Sequence, residues 1–148
     1  MHDRVALLLE RDRILERTKA LFIATDRKDW PAVIDCLTDR VRFDMTSMTG
    51  EPPALVPAEE IAAGWEKGLA DIAAVHHQIG NELVTVDGEK AHVFCYGIAL
   101  HFSPLAKNGT TRRFVGSYDL DLEKQGEEWE IAGFAFHLKF IDGNADLT

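Results

Sequence analysis

The first twenty-five residues place Val5, Leu8, Leu9, Leu15 and Phe22 at helical intervals, with no proline or glycine between them. This spacing predicts a long amphipathic helix over residues 3–25. Asp29 can cap a short second helix that has Pro31 in its first turn and turns Val33, Ile34 and Leu37 inward. Residues 41–45 alternate apolar and polar positions, as a half-buried strand does. The stretch 46–57 contains Gly50, Pro52, Pro53 and Pro57 and reads as a loop long enough to cover a cavity. A third helix is expected over 58–69.

After His76 the period shortens to two. Runs 77–86, 90–103, 111–124 and 128–141 are separated by Asp87-Gly88, Asn108-Gly109 and Gly126, so they predict an antiparallel meander. Helices in front of a run of hairpins define an α+β fold, with N-terminal helices packed on one face of a curved, mostly antiparallel sheet. The second long strand divides its residues sharply by parity. Ala91, Val93, Cys95, Gly97, Ala99 and His101 share one face, and His92, Phe94, Tyr96, Ile98, Leu100 and Phe102 the other. The small face leaves room beside His101, unless it lets a helix pack closely and no cavity exists. The bulky face needs cover that helices on the opposite side cannot give, so a homodimer or homotrimer joined through the sheet is expected.

Composition narrows the class. The 148 residues are 46% hydrophobic and have no linker-like stretch, which suits a single domain over 1–148. A net charge of -9, without blocks of one sign, argues against nucleic acid or an anionic membrane as a partner. The charged N-terminal residues do not read as a signal peptide, and no stretch is apolar enough to span a membrane, so a cytoplasmic location is expected. Cys36 and Cys95 have no metal-ligand spacing and read as core residues. Asn108-Gly109-Thr110 matches a glycosylation sequon but marks a turn more simply. Neither a metal nor a cofactor is expected.

Three residues fit this pattern poorly. Asp26 follows Phe22 by four positions and Leu15 by eleven, which places it on the apolar stripe of the first helix. A carboxylate there needs a partner, unless it ends the helix, reaches solvent or pairs with an arginine. His77 begins a strand, and His101 ends one on the small-residue face; either is also compatible with a hydrogen-bonded core or rim position. His76 must point away from His77, so the two make a poor metal chelate. Gathered into one pocket, a carboxylate and two imidazoles are the components of acid/base catalysis.

The segments Asp26-Arg27-Lys28-Asp29-Trp30, Arg42-Phe43-Asp44, Pro57-Ala58-Glu59-Glu60, His77-Gln78-Ile79-Gly80 and Trp129-Glu130-Ile131-Ala132-Gly133 resemble scytalone dehydratase and the wider SnoaL-like branch of the nuclear transport factor 2-like superfamily. The resemblance covers nearly the whole chain and runs without a gap from Asp26 to Gly64. It implies a cone-shaped α+β barrel with a deep apolar pocket between the helices and the concave sheet. The dehydratase's aspartate and two histidines fall on Asp26, His77 and His101. Its apolar lining falls on Met45, Met48, Gly97, Ala99, Phe134, Phe136 and Leu138. There are departures: two tyrosines that hold a water against the substrate carbonyl are replaced by Thr25 and Met45, and a serine and an asparagine that hold the substrate fall on Gly116 and Tyr118.

The expected activity is that of a lyase or isomerase working without a cofactor on a small apolar or aromatic-ring compound. Dehydration, or proton transfer next to a carbonyl of a cyclic substrate, fits best. Either His101 or His77 is the base, oriented by Asp26; the other histidine donates a proton, and Tyr118 bonds the carbonyl oxygen. Two alternatives lie in other classes: a module that binds an apolar ligand without reacting it, as loss of the tyrosines favours, and a scaffold subunit of an oxygenase.

Overall fold

Helix α1 (His2–Asp26) opens the chain in the structure, a computed structural model that describes residues 2–148; Met1 lies outside the described residues. Its buried positions Ile14, Thr18, Leu21, Phe22 and Thr25 recur every three or four residues, so they form one stripe. The two threonines keep their buried hydroxyls hydrogen-bonded, because Thr18 donates to the Ile14 carbonyl and Thr25 to that of Leu21. Val5, Leu8 and Leu9, expected to face inward, stay more than half exposed: they belong to the first turns, before the packed stripe begins at Ile14. Helix α2 (Trp30–Asp35) follows; the Asp29 carboxylate accepts from the Ala32 amide at 3.2 Å, and Pro31 lies in its first turn.

Strand β1 (Leu37–Asp44) leads into the segment expected to be a loop. That segment contains two short elements, α3 (Thr46–Thr49) and β2 (Ala54–Pro57). Four residues are too few to show a period in sequence. Gly50 ends α3 in the left-handed conformation, φ 76°, where its amide reaches the Thr46 carbonyl. Helix α4 (Ala58–Leu69) then begins directly after Pro57.

The four long strands of the expected meander are β3 (Ala74–Asp87), β4 (Lys90–Phe102), β5 (Thr111–Gln125) and β6 (Glu128–Gly143). The sheet order is β2-β1-β6-β5-β4-β3, and every neighbouring pair is antiparallel except β1 with β6. The last strand, β6, therefore lies between β1 and β5. The α+β class with helices over one face stands as expected, but the sheet is not closed into a barrel: β2 and β3 are its edges. β2 has only four residues, ends on a proline without an N–H and runs straight into α4, so it cannot extend toward β3.

The inner sheet face and α1 bury Trp129, Leu120, Leu122, Ile131, Val93 and Cys95 against Ile14 and Leu21. Trp129 also ties the layers together through polar contacts: its indole N–H donates to Glu10 Oε2 at 2.6 Å, and its carbonyl accepts from Arg17 Nε at 2.7 Å. Cys36 and Cys95 are free and buried; burial pushes both thiols up, Cys95 to about 12, so both are inert core residues. On the outer face Tyr96, Phe102 and Phe140 remain 45%, 40% and 54% exposed in the single chain. None of the described helices is long and apolar enough to cross a membrane.

Candidate functional site

The end of α1 and the start of β3 are locked together. After Asp26 the helix stops because Lys28 turns to a left-handed backbone, φ 55°, and its ammonium donates to the Ile72 carbonyl at 2.6 Å. This closure sets Asp26 against His77, the fourth residue of β3. The imidazole Nδ1 lies 2.6 Å from Asp26 Oδ1, and the His77 backbone amide donates to Oδ2 at 2.9 Å. Both carboxylate oxygens are thus committed to one residue. The two side chains are only 13% and 19% exposed. Since a carboxylate is acceptor-only, the ring proton belongs on Nδ1, and the Nε2 lone pair is left free.

His77 lines a cavity of about 270 Å³ between the helices and the sheet. Leu21, Phe22 and Thr25 of α1 form one wall, Met45 and Met48 another, and Trp65 and Leu69 of α4 a third. Ala99, His101, Arg112, Phe114, Tyr118, Phe134 and Phe136 form the sheet side. The surface is apolar and aromatic apart from a few convergent polar groups, the usual make-up of a small-molecule site.

His101 stands opposite Arg112 across the β4–β5 pair, and its Nδ1 accepts from Arg112 Nε at 3.0 Å. Its proton therefore sits on Nε2. Burial, reinforced by the Arg112 charge and by His77, lowers its pKa to about 4 against a weak opposing pull from Asp26. At neutral pH His101 is an uncharged hydrogen-bond donor. Tyr118 is buried among Phe22, Phe134 and Phe136, with ring centroids 4.8, 5.6 and 4.8 Å away. Burial raises its pKa, helped by Cys95 and Asp26, so the phenol keeps its proton. Among the described residues its hydroxyl has no hydrogen-bond partner, and it is not sealed from the cavity.

Of the residues singled out in sequence, His77, His101, Met45, Met48, Ala99, Tyr118, Phe134 and Phe136 line this one cavity. Asp26 lies behind His77 rather than on the wall. Leu138 is not on the wall either: Ser47 of α3 clamps β6 just there, donating to the Phe136 carbonyl and accepting from the Leu138 amide, and Leu138 packs at the margin of the core. Gly97 has a different use from the one expected. A Cβ there would lie 2.1 Å from Tyr118 Cε2, so its missing side chain makes space for the tyrosine ring and not for a ligand. Arg112, Phe114 and Trp65 were not singled out. Parity on β5 marks the first two, because 112, 114, 116 and 118 share a face; Trp65 has no comparable signal, since helical spacing does not reveal which inward residue borders a void. Among the described residues, no group of three or more His, Cys, Asp or Glu side chains could hold a metal ion.

Helices over one face of an open, mostly antiparallel sheet, with an apolar cavity between the layers, make up a nuclear transport factor 2-like fold. Within it the chain belongs to the SnoaL-like domain family, whose model matches residues 6–135. The Kfla4162 protein from Kribbella flavida is similar in structure with a TM-score of 0.89 and 26% identity, over 95% of this chain and 97% of that one. A proposed aromatic ring hydroxylase from Novosphingobium aromaticivorans superposes with a TM-score of 0.80 at 22% identity, over 95% and 96% of the two chains. A proposed scytalone dehydratase from the same organism gives 0.81 at 14% identity, over 97% and 91%. No curated protein matches the sequence.

Proposed function

We propose that the protein is a small-molecule lyase or isomerase that moves a proton next to a carbonyl group of a cyclic, largely apolar substrate. The observation that carries this reading is the 2.6 Å contact between Asp26 and His77 Nδ1 at the wall of the cavity. Asp26 holds the tautomer whose Nε2 can accept a proton and stabilises the imidazolium once it forms, the part the acidic member plays in a Ser-His-Asp triad. His77 is accordingly the base. His101 cannot share that task, because Arg112 occupies its Nδ1 and its Nε2 already bears a proton.

In the proposed reaction His77 Nε2 takes a proton from the carbon beside the carbonyl, and the C–H electron pair moves into the carbonyl to give an enolate. The His101 Nε2–H and the Tyr118 hydroxyl are the donors for that oxyanion, held in advance by the sheet and the aromatic wall of the cavity. A neutral imidazole stabilising an enolate by hydrogen bonding has precedent in enzymes that keep such a histidine uncharged. From the enolate, collapse with loss of a β-hydroxyl that receives the proton from the His77 imidazolium yields water. Return of the same proton to another carbon yields the isomer. The structural similarity to a proposed scytalone dehydratase agrees with the first course.

Hydrogen exchange tests the chemistry without a known substrate. Deuterium incorporation beside the carbonyl of 2-tetralone in D2O, followed by NMR, should be accelerated by the protein. His77→Gln and Asp26→Asn should each lower that rate by about 10²- to 10⁴-fold while the fold is retained. Exchange no faster than buffer, or variants as active as the parent, would sink the proposal. The competing reading, binding of an apolar ligand without reacting it, draws on Thr25 and Met45: the Thr25 hydroxyl is spent on the Leu21 carbonyl, so neither position replaces a phenol. Similarity to a proposed aromatic ring hydroxylase leaves the scaffold role as a third course. Both predict no exchange.

A further inference from the structure

Acidic side chains outnumber basic ones by 25 to 16, yet the charged side chain on the cavity wall is an arginine. Its neighbour Arg113 points outward and pairs with Asp142; Arg13 and Arg17 pair with Glu10 and Glu128. Among the described residues Arg112 has no carboxylate within ion-pair distance. Instead its guanidinium is held by neutral groups. Nε donates to His101 Nδ1 at 3.0 Å, Nη1 donates to the Ala145 carbonyl at 3.0 Å, and the plane lies over the Phe114 ring with 5.1 Å to the centroid. The remaining nitrogen, Nη2, has no acceptor among the described residues.

A guanidinium taken partly out of water without a counter-ion costs free energy, and the same burial lowers the pKa of Arg112, with only Asp146 acting in the other direction. A planar group fixed on two edges and one face, with its last edge free, is preorganised for an anion. One cation among aromatic walls in about 270 Å³ matches a single negative charge on a flat molecule; a phosphate dianion would find no second cation there.

We propose that Arg112 Nη2 anchors a carboxylate of the substrate, so that the cavity takes cyclic carbonyl compounds bearing a carboxylate in preference to neutral ones. This assignment rests on the reading of the cavity as the substrate site, and not on the proton-transfer chemistry. It gives Arg112 two tasks, orienting His101 through Nε and selecting ligands through Nη2.

Calorimetric titration with 2-naphthoate and with its neutral counterpart 2-naphthamide tests it without turnover. The wild-type protein should bind the carboxylate at least about tenfold more tightly, as a charge-assisted hydrogen bond implies. Arg112→Gln should abolish that preference, Arg112→Lys should retain part of it, and Arg113→Gln, which lies off the cavity, should leave it intact. The wild-type protein also answers alone: naphthoate, and not naphthamide, should move the Arg112 side-chain ¹⁵N resonances. Equal affinities, failure of both probes to bind, or a preference that survives Arg112→Gln would overturn the assignment. Absence of 2-tetralone exchange together with a clear carboxylate preference would remove the catalytic reading and leave this one standing, and the converse result would do the reverse.

Discussion

His77 and His101 carry the same side chain and face the same cavity, but their Nδ1 atoms meet opposite partners. Asp26 accepts a hydrogen bond from one, and Arg112 donates a hydrogen bond to the other. One ring therefore offers a lone pair to the cavity and the other an N–H. No reading of the two positions in sequence separates these roles, because Arg112 becomes the neighbour of His101 only through the β4–β5 register. The depressed pKa of His101 has a consequence for stability. Its folded value of about 4 lies below the ordinary 6.5, so between these values the unfolded chain binds more protons than the folded one. Stability is fully present above about pH 6.5 and is lost as the pH falls toward 4, by an amount on the order of 3 kcal/mol. Denaturant unfolding across that range should show the loss in the wild type and a flatter profile in His101→Gln. An unchanged profile would mean that the imidazole is not buried as a neutral group.

At the level of elements, the small-residue face of β4 was visible from parity alone, but its purpose was not. Gly97 lies directly opposite Gly116 in the β4–β5 register, and the space both leave is filled by protein. A Cβ at Gly97 would collide with the Tyr118 ring, and one at Gly116 would lie 2.2 Å from the His137 carbonyl oxygen and 2.9 Å from the Phe136 ring. These glycines seat the aromatic floor of the cavity. Gly97→Ala should displace Tyr118 and lower stability by about 1–3 kcal/mol, measurable by thermal unfolding; an unaltered melting temperature would show that the ring has somewhere else to go. The long helices and strands were legible because each spans several periods of its pattern. Elements α3 and β2 were not, being four residues each, and the insertion of β6 beside β1 is a pairing between segments far apart in the chain.

For the whole molecule, the outer face of the sheet raises the remaining question. Tyr96, Phe102 and Phe140 are partly exposed there, beside the half-buried Phe94, Ile98 and Leu100 of the same strand face. A contiguous apolar surface of this kind favours association. We propose that copies of the chain cover it, as a homodimer or homotrimer joined through the sheet. Light scattering coupled to gel filtration should give a mass of two or three chains, and Tyr96→Glu with Phe140→Glu should reduce it to one. A monomer at micromolar concentration would refute the arrangement.

By itself the sequence determined the types of the long elements, the two faces of β4, and the residues with acid/base capacity, since these follow from periodicity and side-chain chemistry that act locally. Tertiary structure alone decided which nitrogen of each histidine is free, that Leu138 stays off the cavity wall, that the sheet remains open, and that Arg112 joins the cavity wall beside His101. Those outcomes depend on register and on contacts between residues distant in the chain, and a local pattern carries no record of them.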